Sequence, residues 1–134
     1  MRSAPPVMDG SQREDDRGRV GTFGEWVAVR ALKNAGYKIL DINYRCKLGE
    51  IDVIAREGGT LVFVEVKARR SNRFGNPKMA VTQKKQRKVS MVALEYLKRN
   101  GISDEKARFD VVAVSLRSSQ PDVEIIRNAF DLAY

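Results

Sequence analysis

The chain has 134 residues, with 25 Lys and Arg against 17 Asp and Glu, a formal net charge of +8, one cysteine and no histidine. The length suits one domain with a modest core, and the positive excess favours an anionic partner, nucleic acid or a membrane surface, without specifying a fold. The absence of histidine excludes Ser-His-Asp and Cys-His catalysis and His-ligated zinc, and the single Cys46 excludes an intrachain disulfide, so any catalysis rests on carboxylates, amines, hydroxyls or a metal held by oxygen.

Residues 1–18, opening "MRSAPPVMDGSQREDD", are rich in Pro, Ser, Gly and charge and are expected to form a disordered tail ahead of a single domain over 19–134. This opening lacks the apolar core of a signal peptide, and no apolar run in the chain is long enough to span a bilayer. A cytoplasmic protein with no membrane partner is expected. The first helix is predicted from "GTFGEWVAVRALKNAG", with Thr22 as its N-cap, Phe23, Val27, Ala31 and Ala35 at helical spacing, and Gly36 as its stop. Thr22-x-x-Glu25 also reads as a capping box, which gives Glu25 a structural role as readily as a functional one. Gly24 costs a helix about 1 kcal/mol relative to Ala, a hint that something approaches this turn closely.

Three strands are predicted next, "YKILDINYR", "EIDVIAR" and "TLVFVEVKA", the last two joined by Gly58-Gly59 as a hairpin. A loop, "SNRFGNP", leads to a helix from about Thr82 to Asn100, with Val89, Val92, Ala93, Tyr96 and Leu97 as its apolar stripe and Gly101 as its end. "RFDVVAVSL" reads as a strong strand and "VEIIRNAF" as a short strand or an extended tail. The order predicts an α/β layer, with helices packed on a mixed sheet.

The hairpin gives the charged end of "LVFVEVKARR" a meaning. With Gly58 and Gly59 as the loop, cross-strand partners have numbers summing to 117, so Ile54 faces Phe63, Asp52 faces Glu65 and Glu50 faces Lys67. Opposed carboxylates repel, and more strongly near a core. A shared proton, a neighbouring cation or open solvent would relieve the pair. Lys67 supplies one charge; a hard divalent ion, which takes one or two carboxylates plus waters and phosphate oxygens, would supply two. An isolated Glu-x-Lys on a strand is usually a solvated ion pair, and for Glu50 an ion pair with Lys67 is the expected role.

From Lys67 to Lys88 there are nine basic residues and no acidic one. Arg69, Arg70, Arg73 and Lys78 fall at the strand end and in the loop, and Lys84, Lys85, Arg87 and Lys88 in the first turns of the second helix. Cations are disfavoured at a helix N-terminus, so this placement makes sense if a phosphate backbone docks there. The plain alternative is a solvated basic face. Gln83, heading the helix, is placed to bond a phosphate or an attacking water.

The segments "GEWVAVRALKNAGYKILDINYR", "GEIDVIAREGGTLVFVEVKAR" and "FGNPKMAVTQKKQRKV" resemble the YraN-like family of small bacterial proteins, over about Gly21 to Phe130. That family is similar to archaeal-type Holliday junction resolvases within the PD-(D/E)-x-K nuclease superfamily. The resemblance implies a restriction-endonuclease-like core (αβββαβ) and Mg²⁺- or Mn²⁺-dependent cleavage of DNA, branched DNA included. By motif, Asp52 matches the metal-binding aspartate, Glu65 and Lys67 the Glu-x-Lys pair, Glu25 the first-helix glutamate near the metal and Gln83 the polar residue of the following helix. Ile51 stands where the superfamily name has Pro. The implied metal ligands are Asp52, Glu65 and Glu25, with the Val66 carbonyl. The competing expectation is a non-catalytic nucleic-acid adaptor with the same basic surface; RNA as substrate and a homodimer are left open.

Overall fold

The structure, a computed structural model, describes residues 16–70 and 81–131. The elements run α1 (Asp16–Asn34), β1 (Lys38–Cys46), β2 (Gly49–Glu57), β3 (Thr60–Arg69), α2 (Gln83–Arg99), β4 (Lys106–Ser115) and β5 (Asp122–Phe130). The five strands form one sheet in the order β1-β2-β3-β4-β5. The β1–β2, β2–β3 and β4–β5 pairs are antiparallel; β3 and β4 are parallel, joined through α2. This is the expected α/β arrangement, the αβββαβ core with β5 added at its edge.

Each face of the sheet carries its own core. On the α1 side, Ala28, Val29 and Leu32 pack on Val53, Val62, Val64, Val112 and Val114. On the α2 side, Val89, Val92 and Ala93 pack on Ile51, Ile54, Leu61, Phe63 and Phe109, with Tyr96 and Leu97 beside them. The alternation along β3 follows the two-residue period of a strand. Each fully buried Leu or Phe contributes about 1.5–3 kcal/mol, so Leu61 and Phe63 anchor the strand just before its charged end.

The turn chemistry acts as read for the second helix. Thr82 caps α2 by accepting the Lys85 backbone N–H at 3.1 Å, and Gly101, at φ 62, follows the C-cap Asn100. Gly58, at φ 60, is the first of two residues in the β2–β3 turn, a conformation open to Gly without steric cost.

The first helix departs from expectation. It begins by Asp16, so Thr22 is interior and cannot be an N-cap, and the Thr22–Glu25 capping box does not form. Nor is Phe23, Val27, Ala31, Ala35 the buried stripe. Ala28 and Leu32 are fully buried and Gly24 is buried with them, whereas Phe23 is 40% exposed and Ala35 is exposed. The stripe is rotated by one residue because Gly24 and Ala28, small and easily passed over in a hydrophobic pattern, are what permits close packing. A Cβ placed on Gly24 would lie 2.5 Å from the Ala68 Cβ of β3. The opening segment expected to form a tail lies, up to residue 15, outside the described residues, as does the 71–80 loop with Arg73 and Lys78.

Candidate functional site

The β2–β3 register keeps the predicted sum through Glu57↔Thr60, Ile54↔Phe63 and Val53↔Val64, and there the ladder stops. Beyond that point β2 remains paired with β1 as far as Gly49, and β3 remains paired with β4 as far as Arg69. The sheet therefore opens between its second and third strands. Asp52 and Glu65 lie one step past the last pair. Continued pairing would bring Val66 opposite Ile51; instead the Val66 backbone N–H donates to Asp52 Oδ2 at 2.8 Å. The aspartate carboxylate thus occupies the place of a strand acceptor, pointing across the gap toward β3.

The same place breaks the pleat of β1 and β2. Val53 packs in the α1-side core, yet Ile51, two residues earlier, packs with Tyr44 in the α2-side core. Regular alternation would keep 51 and 53 on one face. Between these positions stand Asp52 and, on β1, Asn43 at φ 57, a left-handed conformation that Asn tolerates better than most residues. The Asn43 side chain lies close enough to Glu25 to lower its pKa. The first-helix glutamate therefore stands near Asp52 and the parted strands.

Glu65 is 5% exposed and Asp52 9%. Two ammonium groups approach the glutamate: Lys85 Nζ lies 3.5 Å and Lys67 Nζ 3.7 Å from Glu65 Oε2. Burial pushes the Glu65 carboxyl up to about 7; the Asp52 charge adds to the rise, and Lys85 and Lys67 oppose it. Burial also raises Asp52, against the lowering effect of the Val66 N–H and Lys85. Glu25 is raised by burial and then by Asp52, while Asn43 pulls it down. All three acids are raised by burial, and the Asp52 charge adds to the rise at Glu65 and at Glu25.

Several expected partners are elsewhere. Glu50 does not meet Lys67; it pairs with Arg45, its cross-strand neighbour on β1, at 2.9 Å, because β2 has left β3 by that point and stays with β1. Gln83, Lys84, Arg87 and Lys88 are exposed along the start of α2, and Arg70 is exposed just past β3, whereas Arg69 is half-buried. Lys85, expected to join the basic surface, instead turns to Glu65. Sequence spacing shows no link between them; only the seating of α2 on the sheet does. Asn43 was likewise missed, and its one signal was an Asn-centred interruption of the β1 apolar pattern.

The oxygen-only donor set suits a hard divalent ion such as Mg²⁺ or Mn²⁺. Among the described residues no three acids stand close enough to hold an ion by themselves. Asp52 and Glu65 meet the need for one or two carboxylates with water completing the shell, and Glu25 acts on that pair through its charge. A separate cavity of about 130 Å³, lined by Phe63, Leu97, Phe109 and Phe130 among others, contains none of these acids. No helix among the described residues is long and apolar enough to cross a membrane.

Comparison with known proteins places the chain. Residues 24–114 match the sequence pattern described as "Uncharacterised protein family UPF0102", a span covering every acid and amine of the site. A UPF0102 protein of Syntrophus aciditrophicus is 52% identical over 116 residues, covering 87% of this chain and 91% of its own. One from Geotalea daltonii is 48% identical over 128 residues, covering 95% of this chain and all of its own, and UPF0102 protein GSU0650 of Geobacter sulfurreducens is 48% identical over 130 residues, covering 96% and 99%. The chain belongs to the UPF0102 family, as the YraN-like resemblance of its motifs implied.

Proposed function

We propose that the chain is a metal-dependent nuclease that hydrolyses phosphodiester bonds of DNA, branched DNA included. One observation carries this reading: Asp52 and Glu65 are buried together where β2 and β3 part, with Lys67 and Lys85 beside Glu65. A buried pair of like charges is costly for a scaffold to keep, and such an arrangement is characteristic of sites that do chemistry.

Asp52 and Glu65 would hold Mg²⁺ or Mn²⁺, which when bound polarises a phosphodiester oxygen and lowers the pKa of a water. The Val66 N–H fixes the direction of the Asp52 carboxylate. Lys67 orients the attacking water and offsets the negative charge that grows on the phosphoryl oxygens as the new P–O bond forms and the old one breaks. Lys85 is positioned to do the second of these as well. Glu25, beside Asp52, bears on the charge of that pair and so on how it holds a cation. Lys84, Arg87 and Lys88, exposed on the first turns of α2, grip the phosphate backbone without reading bases.

The second reading, a non-catalytic nucleic-acid adaptor, draws support from the same lysines, since two ammonium groups lie within 4 Å of Glu65 and offset its charge. Cleavage decides between the two. Branched, single-stranded and duplex DNA and RNA are incubated with the chain in Mg²⁺ and in Mn²⁺, beside Lys67→Ala. Metal-dependent cutting that is lost in Lys67→Ala supports the nuclease; no cutting of any substrate by the wild type supports the adaptor.

A further inference from the structure

The outer side of α1 presents aromatic rings that belong to no core cluster among the described residues. Phe23 is 40% exposed, and its ring lies 6.2 Å from that of Trp26 at an interplanar angle of 23°. The Arg30 guanidinium sits 5.4 Å from the centre of the Trp26 ring. Positions 23, 26 and 30 are i, i+3 and i+7, successive steps of three and four that keep neighbours on one helix face, so three planar groups form a row. Glu25 is adjacent to Trp26 in the chain and stands near Asp52 and the parted strands. The row and the candidate site therefore share one turn of one helix.

We infer that Phe23, Trp26 and Arg30 form a stacking platform for the unpaired bases of a single-stranded nucleic acid whose backbone runs into the β2–β3 opening. The inference deepens the proposed function and rests on nucleic acid being the ligand. Every base has a π-face, and stacking on aromatic rings is strong and tolerant of sequence. A guanidinium both stacks on a base and pairs with phosphate. In a duplex those faces are already stacked on one another, so the platform favours a strand that is open, frayed or branched. The charge agrees with this occupant: between Thr22 and Asn34 the helix carries Arg30 and Lys33 on exposed positions, and its one acid, Glu25, is turned to the site. A lipid surface or a second copy of the chain are the other occupants such a face could take, and the test separates them.

Trp26 is the chain's one tryptophan, so its fluorescence reports on the platform alone. The full chain, in EDTA, is titrated with a single-stranded oligonucleotide of about 16 residues and with an abasic strand of equal length and charge. The base-bearing strand should quench Trp26 and bind the more tightly; the abasic strand should do neither. Phe23→Leu should weaken binding of the base-bearing strand by about fivefold or more and leave the abasic strand unaffected, whereas Phe23→Tyr, which keeps a ring, should bind like wild type. Circular dichroism checks that each variant is folded. Equal quenching by both strands, no quenching by either, or equal binding by Phe23→Leu overturns the platform. So does a Trp26 blue shift seen with phosphatidylglycerol vesicles in place of strand-dependent quenching, or a sedimenting dimer that Phe23→Leu dissociates. Because binding is measured without metal, the two readings fail separately: base-dependent quenching with no cleavage removes the nuclease and keeps the platform, and Lys67-dependent cleavage without base-dependent quenching does the reverse.

Discussion

Two buried aspartates stand at two breaks in the same sheet, and their surroundings are opposite. Asp110 lies on β4 where the β4–β5 register shifts, and Asp52 lies on β2 where the β2–β3 ladder ends. Each accepts a backbone N–H from the adjoining strand, Asn128 at 2.9 Å and Val66 at 2.8 Å. Asp110 then receives Arg108 Nε at 2.9 Å, Arg108 Nη2 at 3.1 Å and Tyr37 Oη at 2.7 Å. Arg108 continues to Glu57, which Arg127 also holds, at 2.7 and 2.9 Å. Asp52 has no such closure among the described residues, and its neighbour Glu65 is met by amines at 3.5 and 3.7 Å, beyond hydrogen-bonding range.

The proton affinities follow the partners. Glu57 is lowered to about 2, first by its bond to Arg127, while burial raises Glu65 to about 7. A carboxylate with a full set of donors fastens the fold; one buried with incomplete compensation carries a charge its surroundings do not fully offset. The difference teaches that burial alone does not distinguish a structural acid from a functional one. The count and reach of its donors does.

Removing the closed cluster should have the largest effect on stability. Asp110→Ala takes the shared acceptor from Arg108, the Tyr37 hydroxyl and the Asn128 N–H, leaving Arg108 only Glu57 and Tyr37, and should cost about 3–5 kcal/mol by chemical denaturation. A loss under 1 kcal/mol would mean the two aspartates are not opposite in kind. On the open side the large effect should be on rate. If the nuclease reading holds, Lys67→Ala should cut at least about 10²-fold more slowly while calorimetry finds metal affinity retained.

The pH dependence of the metal-free protein sharpens the contrast, because the two acids have opposite signs. Glu65 has a folded pKa above its unfolded value, so between about 4.5 and 7 the native state binds the extra proton and stability falls as pH rises. Glu65→Gln should flatten that limb and gain on the order of 2 kcal/mol at pH 8. Glu57 has a folded pKa below its unfolded value, so its contribution is present above about pH 4.5 and is lost as pH falls toward 2. Glu57→Gln should remove stability at neutral pH and blunt the acid limb. Melting temperatures across pH 2 to 8 test both, and a Glu65→Gln profile parallel to wild type would show that burial and the Asp52 charge do not raise Glu65.

The smallest effect concerns the surface. Lys85 is tied to Glu65, so the triple change Lys84, Arg87 and Lys88→Gln should remove the whole phosphate grip of the helix start. The log–log salt slope for duplex DNA should fall by roughly 2 to 3 units, with α2 itself unharmed because cations are leaving its N-terminal turns. An unchanged slope would assign these residues to a solvated face.

Much of this was legible in the chain. The two-residue period of β3 put Glu65 on the face of Leu61 and Phe63, and the Gly58-Gly59 hairpin register brought Asp52 beside it. Thr82 and Gly101 marked α2 because caps and stops are local chemistry. What could not be read was tertiary. The α1 stripe was misplaced because a glycine counts as nothing in a hydrophobic pattern, although Gly24 is the point of contact. The register was extended three positions too far, to Glu50 and Lys67, because nothing in "EIDVIAR" says that Asp52 will replace a backbone acceptor and let the strands part. Lys85 and Asn43 came to the site through the packing of α2 and the left-handed turn of β1, neither of which leaves a periodic trace.

The contact of Gly24 with Ala68 has a mechanical consequence. Gly24 precedes Glu25 and Ala68 follows Lys67, so two residues assigned to chemistry hang from either side of a single point of touch. The clearance there is smaller than a methyl group, and the helix cannot be moved in; it can only be levered out. Gly24→Ala would act as a shim of roughly an ångström between α1 and β3, tilting Glu25 away from Asp52 while leaving every ionisable group in the chain unchanged. Ala68→Gly would take the shim back out. Cleavage lost in the first variant and regained in the pair, with both folded, would show that the spacing of helix and strand is itself a calibrated part of the site.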